Sequence, residues 1–511
     1  MSEVTLVRGR WIVTGGSDAA DVLSDGAVAI EGNTIREIGS YATLREAYAS
    51  ASVLGSDTIA VMPGFINAHH HSNGASAAQH GVPDMLLEPW LLALRKMRGS
   101  DAYLNTLLSS TRLLASGVTT VVDVHSGRGT PQAFKDRACR ALRAYSEAGI
   151  RVAFAPGIRT QCHLVGGIGD DEKFRSALPE EIRVETEVDL PAPGDIGADD
   201  YLGIMDGLCR EFANHPTIDI WYGPPGPQWV SDDLLCRIAE AAEHHDTGIQ
   251  THGEESYYEK LQGPRDYGKP VILHLHDLGV LGPRFSIAHG VWLSEPEIDV
   301  MAATGAAVSH NPSSNLRLRA GIAPLNAMLD AGMTVALGMD GNTINDDEDM
   351  FAEIRLALRL QRTPKLGTPA PTSTRILEMA TAGGAKLMRQ ENRLGRLAPG
   401  FAADLVLVDL KRITWPWVAP EVDPRDLIIM RARAGDVTTV LVDGKVVLSD
   451  GQPTRVDLET VAAALRSAMA ATPYPSEAAA RAERLIPHVE AYYRGWEQSE
   501  LDPYISYNSR S

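Results

Sequence analysis

Between residues 59 and 337, short apolar runs alternate with longer stretches whose apolar residues recur at helical spacing. That is the pattern of parallel strands wound through crossover helices. The runs are 59–68, 118–124, 151–156, 218–222, 248–251, 285–288, 306–308 and 334–337. Eight such units predict an α/β fold, a (β/α)8 TIM barrel, for which about 250 residues is typical and insertions are tolerated. The ends of the chain read differently. Segments 5–13 and 26–38 alternate like antiparallel strands, the second broken by a Gly32-Asn33 turn. Segments 403–410 and 437–448 share that texture, and Asp443-Gly444 is a favoured two-residue hairpin turn. Neither terminal piece is large enough to stand alone. Residues 1–58 and 394–451 are therefore expected to combine into one small β-sandwich domain beside a barrel of residues 59–393. Residues 452–511 read as a helical C-terminal extension with an aromatic tail, Tyr492, Tyr493, Trp496, Tyr504 and Tyr507.

Two insertions follow strands, 80–99 after the first and 160–200 after the third. A barrel places both over its C-terminal face, where chemistry is carried. The first contains Leu86, Leu87, Pro89 and Trp90 and is expected to form an apolar wall. The second is acidic and rich in Gly and Pro, the texture of a lid or an interface loop. Surface insertions packed on helices would read the same way.

Composition narrows the partners. The 47 Lys and Arg against 66 Asp and Glu leave a net charge of −19, which argues against a binder of the nucleic-acid backbone. Four cysteines without CxxC spacing indicate neither a disulfide framework nor a thiolate zinc site, so a reducing cytoplasm is the expected compartment. The first residues lack a signal-peptide pattern and no apolar stretch reaches the ~18 residues of a membrane span. The aromatic tail raises the expectation of a homo-oligomer.

The candidate chemistry begins in Pro63-Gly64-Phe65-Ile66-Asn67-Ala68-His69-His70-His71. Residues two apart on a strand share a face, so His69 and His71 can point into the barrel while His70 turns away. Two imidazoles on one face make half a metal site. His252, His289 and Asp340 close the fifth, sixth and eighth runs, where a mononuclear site draws its other ligands. Each alone reads as a buried structural polar residue; together, at successive strand ends, they do not arise readily by chance. Three histidines and one aspartate with a position left for water suit zinc or iron.

With PGFINAHHH, THGEE, IAHGVWLSEPEI, VSHNPSSNLRLRAGIAPL and LGMDGNTIN in that order, the chain resembles the amidohydrolase superfamily, and within it the mononuclear aromatic deaminases and triazine hydrolases. The resemblance spans nearly the whole chain. It implies one divalent ion, Zn2+ first with Fe2+, Mn2+ or Co2+ as alternatives, held by His69, His71, His252 and Asp340. It also implies Glu255 as proton carrier and His289 beside the reacting water. Binuclear relatives need a carboxylated lysine at the end of the fourth strand, and 218–229 contains no lysine, which implies a single metal. The roles make chemical sense. A divalent ion lowers the pKa of a bound water from about 16 to about 7, worth at most roughly 12 kcal/mol towards deprotonation. Asp340 would take the water proton, and Glu255 would protonate a ring nitrogen and then the leaving group. Glu254 is the rival for Glu255; in the alternative reading it faces solvent or binds a loop.

Two departures from the family pattern affect the pocket. Pro225 stands where many deaminases carry a histidine, and His310-Asn311-Pro312 replaces His-Cys-Pro. Both weaken the case for an ordinary purine or adenosine-type deaminase without touching the metal set. Trp90, His125, Arg159, Gln228, His310 and Asn315 are candidate substrate contacts, each with a packed or loop-capping residue as the alternative. His163, His244, His245, His274 and His276 read as structural. The resulting expectation is a metal-dependent hydrolase that attacks an electron-poor carbon of a small cyclic nitrogen compound and releases ammonia or an amine. The same chemistry would serve an amide, urea or halide leaving group, and a non-enzymatic scaffold is the reading from another class.

Overall fold

The computed structural model describes residues 4–16, 19–341, 343–362, 366–367, 370–498 and 501. The chain opens with β1 (Val4–Val13), β2 (Val22–Glu31), β3 (Thr34–Ser40) and β4 (Ser52–Pro63). Eight short strands follow: β5 (Phe65–His70), β6 (Val118–Ser126), β7 (Arg151–Gly157), β8 (Ile218–Ile220), β9 (Ile249–Gly253), β10 (Phe285–His289), β11 (Ala307–His310) and β12 (Thr334–Leu337). The last four are β13 (Leu405–Asp409), β14 (Val437–Val442), β15 (Lys445–Ser449) and β16 (Gln452–Pro453).

The termini do meet. The expected sandwich takes the form of one hydrogen-bonded sheet in the order β16-β15-β14-β13-β4-β1-β2-β3. β4 lies at its centre, parallel to β1 and antiparallel to β13. This divides the first apolar run. Residues 59–63 complete β4, with Pro63 opposite Leu405, and the barrel begins only at Phe65. An unbroken apolar run has no period to reveal that its first half serves one sheet and its second half another. Gly64 makes the transition possible, because a Cβ there would lie 2.2 Å from the Thr119 side chain.

The barrel is assembled from two parallel arcs, β5-β6-β7-β8 and β9-β10-β11-β12. One seam is the Tyr222–Ile249 bridge. At the other, Asp340 N donates to His69 O at 2.9 Å and Met339 N to Asn67 Oδ1 at 2.9 Å. The interior is filled by small and branched residues, among them Ile66, Ala68, Val122, Val124, Ala153, Ala155 and Ala336. The opposite faces, such as Val121, Phe154 and Ile287, bury against the helices.

Both insertions and the helix Ser476–Arg494 form one apolar cluster. Leu92 from the first and Leu164, Val165, Phe174 and Leu178 from the second pack on Ala482, Leu485, Val489 and Tyr493. Full burial of Leu485 and Val489 stabilises by roughly 2 kcal/mol each. Tyr493 Oη accepts from Gly166 N at 2.6 Å, and Tyr492 donates to Asp170 at 2.6 Å. The described part of the aromatic tail is thus packed on its own chain, which removes it as an argument for self-association; Tyr504 and Tyr507 lie outside the described residues. Among the described residues no helix is long and apolar enough to cross a membrane.

Barrel and terminal sheet are joined by a buried ion pair. Arg151, the first residue of β7, donates from Nε and Nη2 to the two oxygens of Asp404 at 3.0 and 3.1 Å. Removing one partner of a buried pair strands the other charge and costs about 3–5 kcal/mol. Arg151→Met should lower the unfolding free energy by about 3 kcal/mol in urea titration. A loss below ~1 kcal/mol, the value of an exposed pair, would show that the sheet docks without this contact.

Candidate metal centre

At the C-terminal end of the barrel, residues from four strand ends converge, those of β5, β9, β10 and β12. His69 and His71 reach this point through a bulge. Asn67 pairs with Val121 and His70 with Asp123, so β5 carries one extra residue over that interval. Simple alternation from the inward-facing Ile66 and Ala68 would aim His69 and His71 at the helices; the extra residue reverses the parity and turns both inward. His70 faces outward, with Nε2 2.7 Å from Ser109 Oγ and Nδ1 2.7 Å from Asp340 O.

Every inward imidazole is held from behind. His71 Nδ1 donates to Val124 O at 2.7 Å and His252 Nδ1 to Pro225 O at 2.7 Å. His69 Nδ1 meets Gln250 Oε1 at 2.9 Å, while the Gln250 amide donates to Ala68 O, which settles which end of the amide faces the ring. His289 Nδ1 meets Asn315 Oδ1 at 2.8 Å. With Nδ1–H given to an oxygen, the neutral rings of His69, His252 and His289 present an Nε2 lone pair, whereas for His71 the hydrogen bond and charge of Asp340 overcome burial and raise its pKa, so that this ring shares a proton with the carboxylate. The Nε2 atoms of His71 and His252 are 3.2 Å apart, and those of His69 and His289 are buried without a hydrogen-bond partner. His71 Nε2 also lies 3.1 Å from Asp340 Oδ1, and His69 Nε2 lies 3.8 Å from it. Lone pairs converging on one point beside a carboxylate fit a divalent ion, which would also replace the proton between His71 and Asp340. Donor atoms of His69, His71 and His252, and of His69, His289 and Asp340, lie within 4.8 Å of one another.

The ionisation states suit the same purpose. Burial holds His69 well below the usual histidine value, His252 down to about 3, and His289 below normal, so these rings are neutral ligands or acceptors. Burial opposes ionisation of Asp340 as well, but the hydrogen bond and charge of His71, with His69 and His289, hold it well below the ordinary carboxylate range. Ser314 Oγ donates to Asp340 Oδ2 at 2.5 Å. Glu255 behaves oppositely: burial, then Glu259, Asp340 and Glu88, push it well above normal. Its Oε2 is 3.6 Å from His289 Nε2. Backbone strain gathers here, with positive φ at Glu254 (51°), His289 (80°) and Asp340 (53°).

Residues 60–447 match the amidohydrolase family, and residues 26–51 match the imidazolonepropionase-like composite domain of bacteria. The chain belongs to the amidohydrolase family. It is similar to a 5'-deoxyadenosine deaminase of Methanosarcina mazei, 30% identical with 87% of this chain and 93% of the relative covered. It is 31% identical to a 5-methylthioadenosine/S-adenosylhomocysteine deaminase of Nitratidesulfovibrio vulgaris, covering 90% and 96%. Among solved structures, a zinc-bound adenosine deaminase from Xanthomonas campestris superposes with a TM-score of 0.77 at 26% identity, covering 91% and 97%. The zinc-bound atrazine chlorohydrolase of Arthrobacter aurescens gives 0.76 at 23% identity, covering 91% and 100%, which speaks for the fold alone. As a member of this family the protein is a hydrolase acting on carbon–nitrogen bonds other than peptide bonds.

The remaining candidates in this amidohydrolase are spread around the centre. Gln228 donates to Glu259 Oε1 at 2.8 Å, and Asn315 orients His289 through its carbonyl. His310 is buried with neither ring nitrogen partnered, and His125 Nε2 is buried without a partner. The Arg159 guanidinium lies 4.4 Å from the Trp229 ring. Trp90 packs on Ala77, Val82 and Ala93 rather than among the metal-centre side chains. Glu254 does not face solvent: it is 1% exposed and sits 3.3 Å from Lys260 Nζ, because its left-handed backbone turns the side chain into the protein. Gln250 was findable from sequence, lying two residues before His252 on one strand face. Ser314 and Glu88 were not, since nothing local marks them. Glu88 Oε1 accepts from Ser256 Oγ at 2.5 Å, and burial raises its carboxyl to about 7.

Gln250→Ala should weaken metal affinity about 10- to 100-fold, as loss of an orienting partner does, in a chelator competition assay; unchanged affinity would mean that His69 needs no support. Beneath Ser314, Glu353 accepts from Ser313 N at 2.9 Å, and burial raises its carboxyl to about 8. Folded chain keeps this proton while unfolded chain loses it above about pH 4, so stability falls from there to about pH 8, by up to ~1.4 kcal/mol per unit. Glu353→Gln should flatten that fall between about pH 5.5 and 8 in urea unfolding; an unchanged slope would exclude Glu353 as its source.

Proposed function

We propose that this protein is a mononuclear zinc-dependent deaminase of a heteroaromatic amine, with His69, His71, His252 and Asp340 as ligands. The observation that carries this reading is the pair of carboxyl groups on either side of His289, Asp340 held ionised and Glu255 held protonated. Paired groups driven to opposite protonation states are how one site supplies a base and an acid at neutral pH. A bound divalent ion supplies Lewis acidity and makes water a competent nucleophile at neutral pH. Asp340 then receives the water proton. His289, its Nδ1–H given to Asn315, offers Nε2 as acceptor and orients the attacking water. Glu255 donates to a ring nitrogen, which moves electron density off the carbon under attack; it then takes the proton of the new C–OH group and passes it to the departing amine, and the proton held by Asp340 restores Glu255.

The named activities of the relatives support an adenosine-type amine as substrate, against the expectation drawn from Pro225 and Asn311. Pro225 leaves its backbone carbonyl for His252, so the missing histidine there does not impair the centre. Cleavage of a cyclic amide or urea is the competing outcome, and the product separates the two.

Zinc-loaded protein incubated with 5'-deoxyadenosine, adenosine, an aminotriazine and a cyclic urea should release ammonia from at least one of the amines. A carboxylate or carbamate without ammonia would overturn the deaminase reading. Glu255→Gln should lower kcat by about 10²- to 10⁴-fold while bound zinc, measured by mass spectrometry, stays at the wild-type level. Activity within a factor of ~3 of wild type would remove Glu255 from proton transfer.

A further inference from the structure

Where β9 and β10 leave the barrel, their exit loops stay laced together. The strands pair as far as His289 opposite Gly253. Beyond that register Gly290 N donates to Gly253 O at 3.1 Å and Trp292 N to Glu254 O at 2.9 Å. These loops carry Glu255 and His289, the two residues that handle protons beside the metal centre. Their separation, 3.6 Å from Glu255 Oε2 to His289 Nε2, is set by how firmly one loop is fixed to the other.

Backbone hydrogen bonds act here against strain. Glu254 has a φ of 51°, and a side chain in the left-handed region relaxes unless its surroundings over-determine it. Relaxation would swing the next residue, Glu255, away from His289. What holds Glu254 lies beneath the loop. Its side chain is buried, and among the described residues neither carboxyl oxygen has a hydrogen-bond partner. The Lys260 ammonium, 3.3 Å from Oε2, answers it. Lys260 belongs to the helix Tyr257–Tyr267, which starts directly after the Glu255-Ser256 step. The same ammonium lies 2.5 Å from Glu297 Oε2. Glu297 is fully buried in the helix Glu295–Thr304 that follows β10, where Oε2 also accepts from Ser294 N at 2.9 Å. One cation thus joins the element after β9 to the element after β10. A buried carboxyl is costly to leave unanswered, so the bridge resists any drift of the turn. It touches none of the metal donors and therefore acts only through Glu255 and the loop after His289.

We propose that the Glu254–Lys260–Glu297 bridge is a positioning device: it holds the left-handed turn at Glu254 and thereby keeps Glu255 at its working distance from His289. This rests on the reading of Glu255 as proton carrier. Full-length, zinc-loaded protein is compared in four variants. Lys260→Met removes the bridge. Glu254→Ala frees the turn while Lys260 keeps Glu297, so it strands no charge and guards against a folding defect. Glu254→Gln keeps an acceptor for Lys260, and Arg151→Met breaks a buried ion pair at the other end of the barrel. With the amine that the wild type deaminates, Lys260→Met and Glu254→Ala should lower kcat about 10- to 100-fold, the cost of a misplaced proton donor, with KM and bound zinc unchanged. Glu254→Gln and Arg151→Met should stay within ~3-fold of wild type. Hydrogen exchange in 289–293, read by mass spectrometry, should quicken about 10-fold in Glu254→Ala. A kcat within ~3-fold of wild type in Glu254→Ala would overturn the proposal. So would unchanged exchange, an equal kcat loss in Arg151→Met, which marks general destabilisation, or an equal loss in Glu254→Gln, which assigns the effect to charge rather than contact. Absence of ammonia from the wild type would overturn the deaminase reading alone, because exchange tests the bridge without turnover.

Discussion

Four imidazoles forced to aim Nε2 at one point are the constraint on which the rest of this structure depends. Each Nδ1–H is taken by an oxygen that cannot move, on Val124, Pro225, Gln250 or Asn315. Without a cation, only the proton shared by His71 and Asp340 offsets the converging lone pairs of His69, His252 and His289, so folding opposes a residual strain that the packed core overcomes. The barrel's own closure contributes. Asp340 N on His69 O is both the seam between β12 and β5 and the contact that sets two of the candidate donors side by side. Gly338 permits that closeness, since a Cβ there would stand 2.2 Å from Asn311 Oδ1 and 3.0 Å from the His69 Cβ.

The same geometry drives the carboxyl groups apart in acidity. Asp340 and Glu255 share the neighbour His289 and similar burial. Asp340 is stabilised as an anion by ring nitrogens and Ser314, whereas Glu255 faces Glu259 and Glu88 and has no cation. Desolvation is common to both; what differs is the sign of the neighbouring charge. An acid and a base therefore coexist within a few ångströms without either needing an unusual side chain.

What could be read from the sequence follows from how local each signal is. Strand-end positions of His252, His289 and Asp340 were legible because short apolar runs terminate visibly at polar residues, and seven of the eight runs correspond to barrel strands to within a few residues. Run 59–68 hid a change of sheet because β4 and β5 are apolar on both faces. The direction of His69 and His71 was inferred correctly from their spacing, yet the inward turn depends on a bulge defined by pairing with β6, which spacing cannot show. Between the two readings of Glu254, the rival of Glu255 or a solvent-facing or loop-binding residue, spacing could not choose, because its orientation comes from a left-handed backbone and a distant lysine.

Less legible still was the roof over the centre. Segments 80–99 and 160–200 looked like separate insertions, and the C-terminal helix looked like an appendage. Leu92, Phe174 and Leu485 come from three remote stretches and share one cluster, so no window of sequence contains the information that they form a single body. The consequence bears on specificity. Metal chemistry is generic across leaving groups, and discrimination arises from contacts made away from the reacting atom. Here a chamber beside the centre has an apolar wall shared by the insertions and the C-terminal helix. A chain can exchange such a roof by altering loops and one helix while leaving the four strand ends untouched, which separates the evolution of substrate choice from that of the metal centre.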